Sequence, residues 1–197
     1  MTPQSHRVFQ KERTLSKNSF FFTVMASSSS SSSSSKRQFD VFVSFRGADT
    51  RNTFTSYLRQ SLHRKGIDAF FDEKLRRGKE ISVLFDRIEQ SKMSIIVFSE
   101  NYANSNWCLE ELCKIMQCRE KFGHGVIPIF YKVKKSDVES QQGSFGAPFL
   151  NPKESFNGDE LKIGAWKEAL RTASNILGFV LPEERYYTTR LFLSLDL

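Results

Sequence analysis

From residue 39 onward, short apolar runs alternate with segments whose apolar residues recur every three or four positions. The runs are typical of strands buried on both faces, and the recurring pattern is typical of amphipathic helices. The runs occupy residues 39–45, 67–71, 93–98 and 126–131. The helical patterns occupy residues 54–62, 81–88, 107–116 and 166–177, and the first ends before Gly66. This alternation predicts an α/β fold with a parallel sheet covered by helices on both sides.

Three loops follow strands of this predicted sheet, at residues 46–51, 72–80 and 99–106. In open α/β sheets, ligands bind outside the carboxyl ends of the strands. In the first loop Arg46 and Arg51 are suited to pairing with phosphate, and the helix start that follows offers free N–H groups. The alternative is a structural loop in which Asp49 or Thr50 caps the next helix.

Two adjacent glutamates follow the third loop, on a helix that one of residues 104–106 caps. Glu110 lies four residues before Lys114, a spacing that predicts a solvated ion pair. Glu111 lies four residues after Trp107, so it shares the apolar face of the helix. Partial desolvation there raises the pKa of a carboxyl group and makes it a candidate for site chemistry. The alternative, which the spacing alone favours, is a structural glutamate whose stem packs while its head reaches water.

The formal net charge of +7 is unevenly distributed along the 197 residues. Residues 1–38 hold six Lys and Arg and one acidic residue, whereas residues 39–197 hold 23 Lys and Arg and 21 Asp and Glu. The net charge of the predicted folded part is therefore only +2. That balance does not indicate a general binder of the phosphate backbone of nucleic acids.

The side chains that could carry metal or nucleophilic chemistry are few. The three cysteines are five apart on one predicted helix, which favours neither a metal site nor a disulfide framework and suits a reducing compartment. The three histidines lie outside the loops, so serine or cysteine acyl transfer is unsupported. These residues are Cys108, Cys113, Cys118, His6, His63 and His124. No apolar run approaches the ~20 residues of a membrane helix.

The N-terminus differs in composition from the rest of the chain. Nine serines at residues 27–35 predict disorder. Residues 1–24 are basic and loosely fit an organelle transit peptide, while the favoured alternative is an unstructured leader with Met25 as a possible start. We therefore expect a leader at 1–36, one domain at 37–180 and a tail at 181–197.

Five motifs occur in order: FDVFVSFRG at 39–47, LRRGKEI at 75–81, WCLEEL at 107–112, VIPIFY at 126–131 and GSFG at 143–146. Together they resemble the plant Toll/interleukin-1 receptor (TIR) domain of immune receptors, over about residues 37–180. The resemblance implies a flavodoxin-like sheet of five parallel strands. It also implies an NAD⁺ glycohydrolase that releases nicotinamide and makes linear or cyclic ADP-ribose products, with NAD⁺ as substrate and no cofactor.

The resemblance also assigns roles to residues. The family's catalytic glutamate matches Glu111, which reverses the preference for a structural role, and its mobile BB loop matches residues 72–81 with Gly78. The residues implied to bind NAD⁺ are Arg46, Gly47, Ala48, Asp49, Thr50, Arg51, Gly78 and Trp107.

Three departures from the family pattern stand out. Ala48 replaces a usual acidic residue, and Ser56-Tyr57 replaces a frequent Ser-His pair on the first helix. Residues 132–135 read Lys-Val-Lys-Lys where the family usually has Asp-Val-Asp-Pro. The last two departures concern assembly contacts rather than the pocket.

The resemblance leaves several functions open. The implied partners are other copies of the chain and other TIR-domain receptors. The expected location is the cytoplasm, with the nucleus as a second location. A non-catalytic adaptor that only binds other TIR domains is the alternative to an enzyme. Some plant TIR assemblies act on RNA or DNA, to which the +2 charge lends little support. The short tail suggests a TIR-only protein or a truncated receptor.

Overall fold

The computed structural model describes residues 38–71, 81–156 and 158–181 of the chain. Five strands form one parallel sheet in the order β2-β1-β3-β4-β5. The strands are β1 (Phe39–Phe45), β2 (Ala69–Phe71), β3 (Ser91–Phe98), β4 (Gly125–Tyr131) and β5 (Phe179–Leu181). This order confirms the flavodoxin-like fold. The apolar pattern indicated only four strands, because β5 has just three residues, too few to show a run.

Seven α-helices occur in the described residues. They are α1 (Gly47–Thr50), α2 (Phe54–Arg64), α3 (Ile81–Glu89), α4 (Asn106–Phe122), α5 (Lys135–Ser140), α6 (Pro152–Phe156) and α7 (Glu160–Ser174). Helix α2 ends where predicted, since Gly66 has a φ of +67° that side chains with a Cβ rarely adopt. The prediction that Leu177 belongs to the last helix is wrong. Helix α7 ends at Ser174, and Leu177 is exposed beside the close approach of Gly178 to Pro128 that leads into β5.

The sheet separates two apolar clusters, one on each face. Alternate strand residues such as Phe42 and Ile96 pack with α3, α4 and α7. The intervening residues, such as Val43 and Ile95, pack with α2. Because the strands are buried on both faces, they carry the continuous apolar runs seen in the sequence.

The strand order creates a switch point between β1 and β3. The chain leaves β1 toward β2 on one side and leaves β3 toward β4 on the other, so a crevice opens between the carboxyl ends of β1 and β3. The loops at 46–51 and 99–106 border this crevice. The predicted loop at 72–80 with Gly78, the predicted leader at 1–36 and the tail beyond residue 181 lie outside the described residues.

Within the described residues, no helix combines the length and apolar character needed to cross a membrane. In the same part of the chain, no three His, Cys, Asp or Glu side chains gather as a metal ion would require.

Candidate active site at the carboxyl edge of the sheet

Glu111 lies in the second turn of α4, facing the sheet. Ser105 caps the helix, as one of the predicted alternatives, and its hydroxyl accepts a hydrogen bond from the Cys108 N–H at 3.3 Å. The Glu111 side chain is only 2% exposed. This confirms the predicted apolar face, and Glu111 is buried more completely than the spacing indicated.

A series of hydrogen bonds links the Glu111 carboxylate to β1 and to the turn at Tyr102–Asn104. The Ser44 hydroxyl of β1 donates to Glu111 Oε2 at 2.6 Å. Ser44 Oγ also lies 2.9 Å from the Tyr102 hydroxyl, which donates to the Cys108 carbonyl oxygen at 3.1 Å. The carboxylate is thus tied to β1 one residue before the carboxyl end of the strand.

The neighbouring thiol and phenol remain protonated at neutral pH. Burial raises the pKa of Tyr102 well above its ordinary value, and the nearby Cys108 and Glu111 groups raise it further. Burial and the Glu111 carboxylate likewise raise the pKa of the Cys108 thiol. Neither group therefore supplies a nucleophilic anion at neutral pH.

The predicted ion pair between Glu110 and Lys114 is wrong. Glu110 Oε1 instead contacts Lys162 Nζ on α7 at 3.1 Å, and Lys114 pairs with Glu89 on α3. The reason is that α3 and α7 both pack against α4, so each supplies an oppositely charged side chain to a residue of α4. The two adjacent glutamates therefore differ, since Glu110 serves a surface ion pair and Glu111 is buried at the crevice.

The two arginines of the first loop have different surroundings. Arg46 Nε is buried and has no hydrogen-bond partner among the described residues. The Arg51 guanidinium lies over the Phe45 ring, 5.7 Å from its centre. It also lies against Gly47, where an added Cβ would come 3.0 Å from Arg51 Nε. Arg46 therefore retains an N–H group for a ligand, whereas Arg51 is held within the protein.

The expectation that Asp49 or Thr50 caps the next helix is wrong. Neither α1 nor α2 has a side-chain cap, and α1 is a single turn. Thr50 is buried and bonds Thr55 Oγ1 at 2.7 Å. Ala48 is exposed.

The Asp49 carboxylate instead joins the two loops that border the crevice. Asp49 Oδ2 accepts from the Ser99 hydroxyl at 2.7 Å and from the Asn101 N–H at 2.8 Å. Asp49 Oδ1 accepts from the Asn101 side-chain amide at 3.3 Å. The sheet order places these loops side by side, so the carboxylate finds donors on the neighbouring loop rather than at its own helix.

We expect Asp49→Ala to destabilise the domain by about 2–3 kcal/mol, because it removes a charged acceptor from several donors. Urea denaturation measures this loss. Asp86→Ala, at an exposed position of α3, is the control and is expected to stay within about 0.5 kcal/mol of wild type. A loss for Asp49→Ala no larger than for Asp86→Ala would contradict the role of Asp49 between the loops.

Trp107 lies in the first turn of α4, one turn before Glu111. It is partly buried and packs against the larger apolar cluster. This places an aromatic ring at the same end of α4 as the carboxylate, and its role in binding NAD⁺ stays a prediction. Gly78, the remaining residue implied to bind NAD⁺, lies outside the described residues.

Sequence reasoning did not single out Ser44 or Tyr102. The available signal for Ser44 was a polar residue between the apolar residues Val43 and Phe45, two residues after Phe42 and therefore on the same face as Phe42. Tyr102 carried no such signal, because its contact with Ser44 joins residues 58 apart in the chain.

The strand order defines a flavodoxin-like domain, and the buried Glu111 carboxylate near the β1–β3 crevice marks a candidate ligand site at its carboxyl edge. The model of the TIR domain family matches residues 38–186. The chain therefore belongs to the TIR domain family.

The relatives are plant disease resistance proteins. The chain is 69% identical over 148 residues to disease resistance protein RPP2B of Arabidopsis thaliana, covering 75% of this chain and 12% of that protein. It is 58% identical over 147 residues to disease resistance-like protein DSC1 of the same plant, covering 74% of this chain and 12% of that protein. The chain thus matches only the TIR part of much longer proteins.

A solved structure agrees with this assignment. The chain is 42% identical to the TIR domains of the activated Roq1 resistosome, a complex described as directly recognizing the pathogen effector XopQ. The TM-score is 0.71, and the match covers 79% of this chain and 96% of that chain.

Proposed function

We propose that this protein cleaves NAD⁺ between nicotinamide and ribose when it self-associates, and that the products signal in plant defence and cell death. The observation that carries the proposal is the Glu111 carboxylate, buried at the switch-point crevice and held there by Ser44. Membership of the TIR family, which includes NAD⁺-cleaving members, supports the same reaction.

A single carboxylate suits this chemistry. The nicotinamide of NAD⁺ is already cationic, so it leaves as a neutral molecule without taking up a proton. The ribose then carries an oxocarbenium-like positive charge, which a fixed carboxylate stabilises. Attack by water yields ADP-ribose and releases one proton, whereas attack by a nucleophile of the same molecule yields a cyclic product. In this scheme Glu111 stabilises the charge on the ribose.

The first loop is suited to the diphosphate of NAD⁺. Arg46 sits at the carboxyl end of β1 with a buried, unpaired Nε–H, and guanidinium groups bind phosphate oxygens strongly. Because α1 is only one turn long, we assign phosphate binding to Arg46 rather than to a helix dipole.

The burial of Glu111 suggests why the reaction would depend on assembly. A carboxylate that is 2% exposed does not reach the ribose of a bound dinucleotide until neighbouring groups move. We propose that contact with a second copy opens or completes the site. The similarity to TIR domains found in a resistosome supports assembly as the trigger.

A non-catalytic adaptor is the second candidate function. It is favoured by the internal hydrogen bond of Glu111, because a structural carboxylate would also be buried and paired. The two functions are separated by incubating the purified chain at high concentration with NAD⁺ and measuring nicotinamide. Release above a protein-free control supports the enzyme, whereas TIR–TIR binding without release supports the adaptor.

We expect Arg46→Ala to raise the KM for NAD⁺ about tenfold while the melting temperature stays within about 2 °C of wild type. The substitution removes a phosphate ligand, and no hydrogen bond of Arg46 Nε within the described residues is lost. Steady-state kinetics and a circular-dichroism melt measure both quantities. Arg171→Ala, which removes a surface partner of Glu168, is the control. An unchanged KM would exclude Arg46 from the site.

A further inference from the structure

A buried chain of hydroxyl groups stands behind the Glu111 carboxylate. Ser44 on β1 and Tyr102 in the turn at Tyr102–Asn104 are both fully buried. Their hydroxyls connect Glu111 Oε2 to the Cys108 carbonyl oxygen, in the first turn of the helix that carries Glu111. The two linked hydroxyls therefore contact both the Glu111 carboxylate and the backbone of the helix turn that precedes it.

The number of protons available determines which hydroxyl donates in each of these hydrogen bonds. An ionised carboxylate only accepts hydrogen bonds, so Ser44 commits its single proton to Glu111. The bond between Ser44 and Tyr102 must then be donated by the Tyr102 hydroxyl, whose proton is shared between Ser44 Oγ and the Cys108 carbonyl. The share of the Tyr102 proton that goes to Ser44 thus points toward the carboxylate, an order in which successive hydrogen bonds strengthen one another.

We propose that Ser44, oriented by Tyr102, is a positioning residue that holds the Glu111 carboxylate in its ionised, productive orientation for NAD⁺ cleavage. This inference rests on the proposed function. Ser44 lies behind the carboxylate, within the apolar core, and it acts on the reaction only through Glu111.

The physical reason is the cost of removing a hydrogen-bond donor from a buried charge. The Ser44 hydrogen bond favours the charged form of the carboxyl group and limits its rotation. Without Ser44, the carboxylate is protonated more readily and turns toward other donors. Stabilisation of the ribose cation needs both the charge and its placement, so both losses lower kcat.

A second buried serine of the sheet offers a matched control. Ser94 on β3 is fully buried on the same sheet face as Ser44, and its Oγ lies 2.8 Å from His124 Nε2. Its partner His124 precedes β4, at the amino edge of the sheet. Ser94→Ala therefore deletes an equivalent hydroxyl from the core without touching Glu111.

The test compares Ser44→Ala with Ser94→Ala in steady-state NAD⁺ cleavage at one protein concentration. We expect Ser44→Ala to lower kcat about 10- to 100-fold with KM within about twofold, the range of a hydrogen bond to a charged group. Ser94→Ala is expected to keep kcat within about twofold while losing comparable thermal stability. Tyr102→Phe is expected to lower kcat about three- to tenfold, because it acts through Ser44.

The pH profile distinguishes positioning from a general loss of stability. In Ser44→Ala the acid limb of the kcat profile is expected to move to higher pH, since the carboxylate then loses its charge more readily. The titratable groups that interact with Glu111 are the Tyr102 phenol and the Cys108 thiol, and Arg46 and Asp49 of the first loop lie near that thiol. The thiols and the phenol do not titrate on the acid side, because burial raises the pKa of Cys113 to about 12 and those of Cys108 and Tyr102 as well.

The outcomes separate this inference from the proposed function. A wild-type chain that releases no nicotinamide overturns both. An active wild type in which Ser44→Ala matches Ser94→Ala in kcat and pH profile overturns only the role of Ser44. If Ser44→Ala fails to fold, Tyr102→Phe decides: a lower kcat with an intact melt supports the inference, and a wild-type kcat overturns it.

Discussion

Replacing Glu111 with alanine is expected to abolish release of nicotinamide from NAD⁺, with a loss of at least about 100-fold. Glu110→Ala is expected to keep activity within about twofold. The two residues are adjacent, but Glu111 is 2% exposed at the crevice, whereas Glu110 pairs with Lys162 on α7. Chromatographic measurement of nicotinamide at equal protein concentration tests both variants.

The isosteric variant Glu111→Gln tests whether the loss of activity in Glu111→Ala comes only from a loss of folding. It keeps the size of the side chain and removes the negative charge, so it is expected to fold like wild type and remain inactive. Circular-dichroism melts of all three variants show whether the fold is intact. Equal loss of activity in Glu110→Ala and Glu111→Ala, with both proteins folded, would contradict the assignment of Glu111.

The second large effect is expected when turnover per molecule is measured at different protein concentrations. If assembly activates the site, turnover per molecule should rise roughly tenfold over a hundredfold increase in protein concentration, since association follows mass action. We assign the assembly contacts to two helix faces at the carboxyl edge of the sheet. Each face carries an exposed apolar residue near the start of its helix, Tyr57 on α2 (57% exposed) and Leu161 on α7 (88% exposed). Tyr57→Glu and Leu161→Glu are expected to lower activity at high concentration, because they place a charge in an apolar contact.

Phe122→Glu is the matched control for these variants. Phe122 is 65% exposed, but it lies at the end of α4, on the amino edge of the sheet. We expect it to leave the concentration dependence unchanged. Turnover per molecule that stays flat from dilute to concentrated protein would contradict the assembly hypothesis. Wild-type behaviour of Gly78→Arg, in the stretch that matches the family's mobile BB loop, would contradict it as well.

Dependence on Tyr57 also predicts the pH behaviour of assembly. Tyrosine stands where the family often has histidine, and a histidine with an ordinary pKa of ~6.5 changes its charge between pH 6 and 8. Assembly through Tyr57 should therefore change less over this range than assembly of a Tyr57→His variant. Analytical ultracentrifugation at several pH values compares the two.

Periodicity along the chain determined which residues face the core. The apolar runs located β1, β3 and β4, because strands buried on both faces carry continuous apolar residues. The helical spacing placed Glu111 on the buried side of α4, since residues four apart share one face. These are properties of single elements, and local sequence is enough to predict them.

Only the tertiary structure decided which side chains meet. Ser44 and Glu111 are 67 residues apart, and Asp49 and Ser99 are 50 apart. Both contacts exist because β1 and β3 are neighbours in the sheet, which no local pattern specifies. Glu110 bonds to α7 rather than to Lys114 for the same reason, because packing of helices supplies partners that the spacing within one helix does not reveal. The sequence alone therefore predicts a buried carboxylate on α4, and the order of the strands builds the site around it.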